Sequence, residues 1–95
     1  MDDDTSAAPA QQALPAFPCR FPIKAMGRRD AGFAQGVQQI VLRHAPDFEP
    51  ASMEMRPSRQ GTYLSLTCVV NAASREQLDA LYRDLCDHPS VVMVL

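Results

Sequence analysis

The sequence contains no tryptophan, only four glycines and three cysteines among its 95 residues, and no long uninterrupted apolar run. A chain of this length forms one modest domain, too small for a nucleotide-binding unit with a separate substrate domain. Because no stretch approaches the roughly 18 apolar residues of a membrane span, and because the first residues are acidic, we expect neither a membrane span nor a secretory leader. The expected location is the cytoplasm.

Positive charge is also scarce, since nine Lys and Arg residues stand against eleven Asp and Glu residues, a net charge of −2. Three of the acidic residues, Asp2, Asp3 and Asp4, lie near the start, so the remainder of the chain is close to neutral. Binding to nucleic acids or to membrane surfaces depends on a dense cationic surface. We therefore expect no nucleic-acid partner and no membrane partner.

The cysteines are odd in number and form no Cys-x-x-Cys pair, which indicates neither a disulfide framework nor a zinc ribbon. Cys68 and Cys86 are expected in or near the core. Cys19 is expected to be the most exposed thiol, and a neighbouring arginine would favour its reactive thiolate. His44 and His88 lack ligands at metal-binding spacing and are expected at helix ends. The sequence thus predicts no metal, no cofactor and no catalytic residue.

Residues 1–16 are polar, rich in Ala, Pro and Gln, and without periodicity. This composition predicts a disordered acidic tail ahead of a single domain over residues 17–95. Alternating apolar and polar residues predict a first strand, with regular pairing from about Pro22. Asp30 is the expected N-cap of a first helix, which Pro46 ends.

Alternation resumes over residues 51–59 and again over residues 62–70, which predicts two strands joined as a hairpin. Ser74 and Gln77 have the spacing of a capping box, and the apolar stripe that follows predicts a second helix. A short apolar segment at residues 91–95 predicts the last strand.

The order βαββαβ has few compact solutions, because both crossovers are right-handed and both helices cover the same sheet face. It predicts a ferredoxin-like α+β sandwich, a four-stranded antiparallel sheet with two helices on one face. Gly36 is expected where the first helix approaches the sheet closely. The expected core comprises Ile23, Ala25, Met53, Met55, Leu64, Leu66, Cys68 and Val70 from strands, and Phe33, Val37, Ile40, Val41, Leu78, Leu81 and Leu85 from helices.

The uncovered sheet face and the hairpin are the expected binding surface. Cationic side chains beside hydroxyl groups can hold a carboxylate or dock an acidic protein surface. Solvent alone also requires polar residues on the outer face of a two-layer sheet, and a turn alone explains a glycine in the hairpin. The candidate residues are Lys24, Arg56, Ser58, Arg59, Gly61, Tyr63 and Ser65.

Four segments in this order resemble the YbeD family of small bacterial proteins: FPCRFPIKAMG (17–27), SRQGTYLSLT (58–67), SREQLDALYRDL (74–85) and HPSVVMVL (88–95). The resemblance implies a ferredoxin-like fold similar to the ACT-type regulatory domains of amino-acid enzymes. It implies a bacterial cytoplasmic protein with no established activity, for which proximity to lipoate-pathway genes suggests regulation.

Two hypotheses follow. The leading one is a non-enzymatic regulatory or adaptor domain that binds a protein partner through the open sheet face and the hairpin. The alternative is an ACT-like sensor of an amino acid or anionic metabolite, linked to lipoate metabolism, with Gly27, Arg28, Arg29 and Asp30 as its ligand loop. In that loop Asp30 and Gly32 are two residues apart, whereas the ACT pattern has three. Since two strands are sheet edges, we expect a monomer or weak homodimer.

Overall fold

The computed structural model describes residues 16–95, so the predicted tail lies outside the described residues except for Ala16. The elements are β1 (Cys19–Arg28), α1 (Phe33–His44), a 3-10 turn (Pro50–Ser52), β2 (Glu54–Pro57), β3 (Tyr63–Ala72), α2 (Arg75–Asp87) and β4 (Val91–Val94). The sheet is antiparallel with the order β2-β3-β1-β4, and the helices pack on one of its faces. The predicted ferredoxin-like sandwich is therefore confirmed.

Strands β1 and β3 form the centre of the sheet. Ten residue pairs join them, from Cys19 opposite Ala72 to Arg28 opposite Tyr63. β1 therefore begins at Cys19, earlier than the predicted start of regular pairing at Pro22. Pro22 is tolerated because β4 pairs only with the later part of β1, so no strand on that side needs the missing N–H.

Strand β2 is shorter than predicted. It spans Glu54–Pro57, and Pro50–Ser52 form a 3-10 turn where the alternation predicted strand. Met53 packs partly buried against the core, but Met55 is 59% exposed. The helices pack mainly over β1, β3 and β4, whereas β2 is an edge strand beyond their cover. The prediction of Met55 as a core residue was therefore wrong.

Helix α1 begins at Phe33 instead of near Asp30. Its N-cap is Gly32, at φ 88°, and no side chain caps the first turn. The Asp30 carboxylate accepts a hydrogen bond from Ser90 Oγ at 2.9 Å, which ties it to the turn before β4. Because the left-handed Gly32 directs the chain into the helix, the N-cap predicted at Asp30 was wrong.

Helix α2 begins as predicted, and its first residues also bind the end of α1. Ser74 Oγ accepts a hydrogen bond from the Gln77 N–H at 3.1 Å. Gln77 Oε1 accepts from the Ala73 N–H at 2.6 Å, and Gln77 Nε2 donates to the His44 carbonyl at 2.7 Å. The Gln77 side chain thereby binds a backbone N–H just before α2 and a backbone carbonyl at the end of α1.

Gly36 allows α1 to approach the end of α2. A Cβ atom at Gly36 would lie 2.6 Å from His88 Nε2. The His88 ring also meets Phe33 edge to face, with ring centroids 5.9 Å apart, and His88 Nδ1 accepts from the Ser90 N–H at 3.1 Å. The predicted approach to the sheet at Gly36 was therefore wrong, because the close neighbour is the His88 ring at the end of α2.

The core follows the predicted faces of the helices and central strands. Ala45, Phe48 and Ala72 also belong to it; Ala45 and Phe48 follow α1 in an irregular segment, where periodicity gives no signal for burial. Leu64 is only partly buried. The buried apolar residues are Ile23, Ala25, Phe33, Val37, Ile40, Val41, Ala45, Phe48, Leu66, Cys68, Val70, Ala72, Leu78, Leu81 and Leu85.

A charged cluster joins the two helices at the surface. His44, the last residue of α1, donates from Nε2 to Asp84 Oδ2 at 2.6 Å, and Arg43 Nη1 lies 3.4 Å from the same oxygen. The hydrogen bond from His44, with the positive charge of Arg43 nearby, holds the pKa of the Asp84 carboxyl below its ordinary value of 3.8. The folded state therefore favours the ionised carboxylate.

We expect Asp84 to contribute to the loss of stability in acid. Because its folded-state pKa is lowered, its ionised form stabilises the fold above its ordinary pKa of 3.8, and this stabilisation is lost as the pH falls through the lower folded-state value. Urea unfolding at neutral pH and at about pH 3 measures the effect. The Asp84→Asn variant should lose less stability on acidification than the wild type, whereas exposed Asp79→Asn on the same helix serves as the control. Equal losses in both variants would contradict this assignment.

Candidate functional site on the open sheet face

The sheet face opposite the helices carries the central residues of the predicted site. Lys24 of β1 lies opposite Thr67 of β3, and Arg56 of β2 lies opposite Ser65 of β3. Opposite residues of antiparallel strands point to the same face. These four side chains and Glu54 line a depression of about 500 Å³. Lys24, Arg56 and Ser65 are thus adjacent in the structure, and their binding role stays a prediction.

Charge is unevenly distributed between the two layers. The alternation of β1 and β2 places four cationic residues, Arg20, Lys24, Arg28 and Arg56, and one carboxylate, Glu54, on the open face. Helix α2 in the other layer contains two arginines and four carboxylates. Since residues 17–95 together hold nine cationic and eight acidic residues, the excess of positive charge on the open face is offset by acidic residues elsewhere in the domain. Such a distribution favours the approach of negatively charged groups to this face.

The β2–β3 hairpin uses two of the predicted site residues for its own turn. The Ser58 N–H donates to the Tyr63 carbonyl at 2.8 Å, and Ser58 Oγ accepts from the Tyr63 N–H at 3.1 Å. Gly61 has φ 80°, and its N–H donates to the Ser58 carbonyl at 2.9 Å. Ser58 and Gly61 therefore shape the turn. Arg59 and Tyr63 line a second depression of about 260 Å³ at the hairpin.

The predicted ligand loop adjoins the hairpin. Arg28, the last residue of β1, lies opposite Tyr63, and the Arg29 N–H donates to the Thr62 carbonyl at 3.0 Å. The two arginines therefore continue the cationic surface toward the hairpin. In the sequence the hairpin and the loop are separate candidates, because only strand pairing between distant segments brings them together. The alternation that indicated Lys24 would also have indicated Arg28.

The other two loop residues hold the backbone in place. Gly27 is buried, and a Cβ atom there would overlap the Ser90 carbonyl oxygen and lie 2.8 Å from the Phe33 ring. The Asp30 carboxylate accepts the Ser90 hydroxyl hydrogen bond described above. Gly27 and Asp30 thus connect the loop to the turn before β4. The sensor hypothesis stays a prediction, with these two residues already engaged within the chain.

The solvent exposure of the three cysteines does not follow the predicted order. Cys86 is exposed, which makes its near-core prediction wrong, because it lies on the solvent side of α2. Cys19 packs partly buried against the core, so it is not the most exposed thiol. Cys68 is buried as predicted, and burial raises the pKa of its thiol to about 11.

We expect the thiols to react with iodoacetamide in the order of their exposure. At pH 7.5 Cys86 should be alkylated first, because the folded protein leaves it open to solvent. Cys68 should react only after unfolding, since its raised pKa and its burial both disfavour the reactive thiolate. Peptide mass spectrometry over a time course measures the order. Alkylation of Cys68 in folded protein at the rate of Cys86 would contradict it.

Within residues 16–95, no group of three or more His, Cys, Asp or Glu side chains is placed to hold a metal ion. In the same part of the chain, no helix is long and apolar enough to cross a membrane. The fold and the open face together define a small ferredoxin-like α+β domain with one uncovered polar sheet surface.

Solved structures with this fold include an ACT domain. The ACT domain of GTP pyrophosphokinase from Chlorobium tepidum superposes with a TM-score of 0.64 at 11% identity, covering 81% of this chain and 97% of that chain. Protein HP0495 from H. pylori gives a TM-score of 0.66 at 12% identity, covering 93% of this chain and 92% of its own. At these identities the likeness establishes an ACT-like ferredoxin fold and nothing about activity.

Sequence comparison establishes the family. The model of the family described as "Protein of unknown function (DUF493)" matches residues 12–95. A UPF0250 protein of Nitrosomonas europaea is 53% identical over 85 residues, covering 90% of this chain and 98% of the relative. Another, from Ralstonia nicotianae, is 50% identical over 93 residues, covering 98% of this chain and 96% of the relative. The chain belongs to the DUF493 (UPF0250) family, which includes YbeD, and the resemblance found in the four segments is confirmed.

Proposed function

We propose that this protein is a non-enzymatic regulatory or adaptor domain that binds an acidic protein surface through its open sheet face. The observation that carries the proposal is the arrangement of Lys24 and Arg56 on either side of the β3 hydroxyl groups of Ser65 and Thr67. Arginine can bind a carboxylate through two parallel hydrogen bonds, lysine supplies a point charge, and the hydroxyls add donors.

The extent of the cationic surface favours a macromolecular partner. Arg20 and Arg28 lie at opposite ends of the ten-residue strand β1. Eight residue steps in a strand extend about 27 Å, longer than an amino acid or a small metabolite. Tyr63 lies opposite Arg28 and is 41% exposed, and tyrosine and arginine are both enriched in protein interfaces. An acidic protein surface can contact the whole row of cations at once.

The same geometry favours binding over catalysis. Lys24, Arg56, Ser65 and Thr67 surround a depression on the surface of a sheet, between side chains that are exposed or half-buried. Most catalytic sites lie in clefts that exclude water, which strengthens electrostatic interactions and aligns the reacting groups. A carboxylate docked on this face stays partly hydrated. Its binding is therefore expected to weaken as salt is added.

The experiment is affinity capture from the native bacterial lysate with wild-type protein and two charge reversals. Arg56→Glu changes the open face, and Arg83→Glu makes the same charge change at an exposed position of α2. Wild type and Arg83→Glu should capture the same protein, whereas Arg56→Glu should capture at least tenfold less of it. The captured partner should also elute with about 0.5 M salt, because the contacts are ionic.

Circular dichroism and thermal unfolding establish that both variants are folded, so that a loss of capture is assigned to the surface. Equal capture by wild type and Arg56→Glu, or no captured protein, would argue against the proposal. The sensor hypothesis has its own readout, because a ligand that binds the folded state raises the unfolding temperature. A thermal-shift screen of amino acids and anionic metabolites, repeated with Arg29→Ala, tests that hypothesis independently.

A further inference from the structure

An exposed apolar patch lies beside the cations of the open face. Met26 of β1 lies opposite Met93 of β4, and reciprocal backbone hydrogen bonds of 2.8 and 3.1 Å place Leu95 opposite Lys24. Opposite residues of antiparallel strands point to the same face, so Met93 and Leu95 share the face of Lys24. Met93 is 46% exposed, Leu95 is 61% exposed and Met26 is half-buried. These three residues, Met26, Met93 and Leu95, are called the apolar patch.

The bulge in β4 leaves this orientation unchanged. The register between β1 and β4 shifts at Val92. After the shift, Val94 lies opposite Ala25 and packs against the core. Because successive residues of an extended chain point to opposite faces, the residues before and after Val94 point away from the core. Strand pairing and side-chain alternation therefore agree that Met93 and Leu95 lie on the open face.

The apolar patch adjoins two cations of the candidate site. Lys24 lies one strand spacing, about 4.8 Å, from Leu95. Arg56 lies two strand spacings, about 10 Å, from Met26, with Ser65 between them. A partner that contacts only the cations leaves the patch in water and gains nothing from its burial. The complementary surface is therefore amphipathic, with apolar side chains flanked on one side by carboxylates.

An α-helix is the form that matches such a surface. Strand β1 is paired on both sides over its later part, so an occupant of this face contacts side chains and not free backbone groups. An added strand instead pairs with the edge of a sheet. An amphipathic helix carries an apolar stripe with polar residues beside it, as α1 and α2 do on the other face of this sheet. Methionine side chains adapt their shape to such a stripe.

We infer that the acidic partner of the open face is an amphipathic α-helix. Its apolar stripe packs on the apolar patch, and its carboxylates bind Lys24 and Arg56. A helix of about 18 residues is about 27 Å long, which matches the distance from Arg20 to Arg28 along β1. The inference rests on the proposed function and specifies the form of its partner. Three side chains form too small an apolar contact to hold the helix without the charges, so salt still weakens the complex.

Two synthetic peptides test the form of the partner. Each has about 18 residues of leucine, glutamate and alanine and carries a fluorescent label. In the first peptide the leucines recur at the helical spacing i, i+3, i+4 and i+7, whereas in the second the same residues are shuffled so that the leucines share no face. Fluorescence anisotropy should show that the first peptide binds with a Kd below about 1 mM and at least tenfold more tightly than the second.

A matched pair of methionine variants tests the apolar patch. Met93 and Met55 are both exposed, but Met55 of β2 lies opposite the buried Leu66 and so points to the helix side of the sheet. Met93→Ser should weaken binding of the first peptide at least fivefold, whereas Met55→Ser should change it less than twofold. Arg56→Glu should weaken it at least tenfold, because the ionic contact is lost. Circular dichroism checks that each variant is folded.

Equal binding of the two peptides, or equal effects of Met93→Ser and Met55→Ser, overturns the inference. Capture from the lysate separates this failure from failure of the proposed function. If Arg56→Glu loses the captured protein and Met93→Ser keeps it, the cations bind an acidic partner of another form, and only the inference fails. If no protein is captured and neither peptide binds, both fail.

Discussion

Replacing Gly27 by alanine should destabilise the domain by about 3 kcal/mol. Gly27 is buried in β1, where an added Cβ atom would overlap the Ser90 carbonyl oxygen and lie 2.8 Å from the Phe33 ring. The ring could move, but the carbonyl is backbone and accepts the Arg28 N–H hydrogen bond at 3.0 Å. Relief of the overlap would therefore separate β1 from the turn before β4. Urea unfolding measures the loss.

Gly32→Ala is the matched control for this prediction. A Cβ atom at Gly32 meets no atom within 4 Å, but its φ of 88° is unfavourable for alanine. We expect a smaller loss at Gly32, about 1 kcal/mol, from backbone strain alone. Adding Phe33→Leu to Gly27→Ala should not restore stability, because the carbonyl overlap stays. A Gly27→Ala variant within 0.5 kcal/mol of wild type would show that the turn moves freely.

Replacing Phe33 by alanine should remove about 4 kcal/mol of stability. Phe33 is 1% exposed and belongs to the largest fully buried side chains. Its ring fills the space between Gly27 and His88, so truncation leaves a cavity bounded by β1 and the end of α2. For a domain of this size the midpoint of thermal unfolding should fall by about 15 °C or more.

The control for Phe33→Ala is Phe33→Leu, because leucine keeps most of the apolar volume of the side chain. Phe33→Leu should cost about 1.5 kcal/mol or less. If alanine and leucine had equal effects, the loss would come from the aromatic contact with His88 and not from the cavity. The double variant Phe33→Ala/His88→Ala separates the two contributions, because coupled residues give a non-additive sum.

Gly27 and Phe33 also connect stability with the proposed binding surface. Gly27 precedes Arg28 and Arg29, and Phe33 begins the helix that follows this loop. A change at either residue should therefore disturb the orientation of the two arginines even where the domain stays folded. The capture assay should register such a disturbance in partially destabilised variants such as Phe33→Leu, as a smaller loss than that of Arg56→Glu.

The fold could be predicted from the sequence because its elements are marked by local patterns. Alternation indicated β3, the capping pair Ser74 and Gln77 indicated α2, and the connection order allowed few compact arrangements. Local signals misled where tertiary contacts decided the outcome. Asp30 resembles an N-cap, but its carboxylate accepts a hydrogen bond from Ser90, sixty residues further along the chain.

The central part of the candidate site was also predictable, because side-chain alternation places Lys24, Arg56 and Ser65 on one face once the strands are identified. The roles of Ser58 and Gly61 in the turn, and the junction between the hairpin and the Arg28–Arg29 loop, were not. Both depend on hydrogen bonds across the sheet, among them the one from Arg29 to Thr62. Hydrogen bonds between residues that are distant in the chain cannot be read from the local sequence pattern.

The sequence by itself determined the element order, the inward faces of the central strands and the family to which the chain belongs. The tertiary structure alone decided that Met55 is exposed, that Gly36 meets His88, and that the Arg28–Arg29 loop adjoins the hairpin. The physical reason is that periodicity records which side of an element faces the interior. The neighbour that covers that side, or leaves it open, is set by the packing of elements distant in the chain.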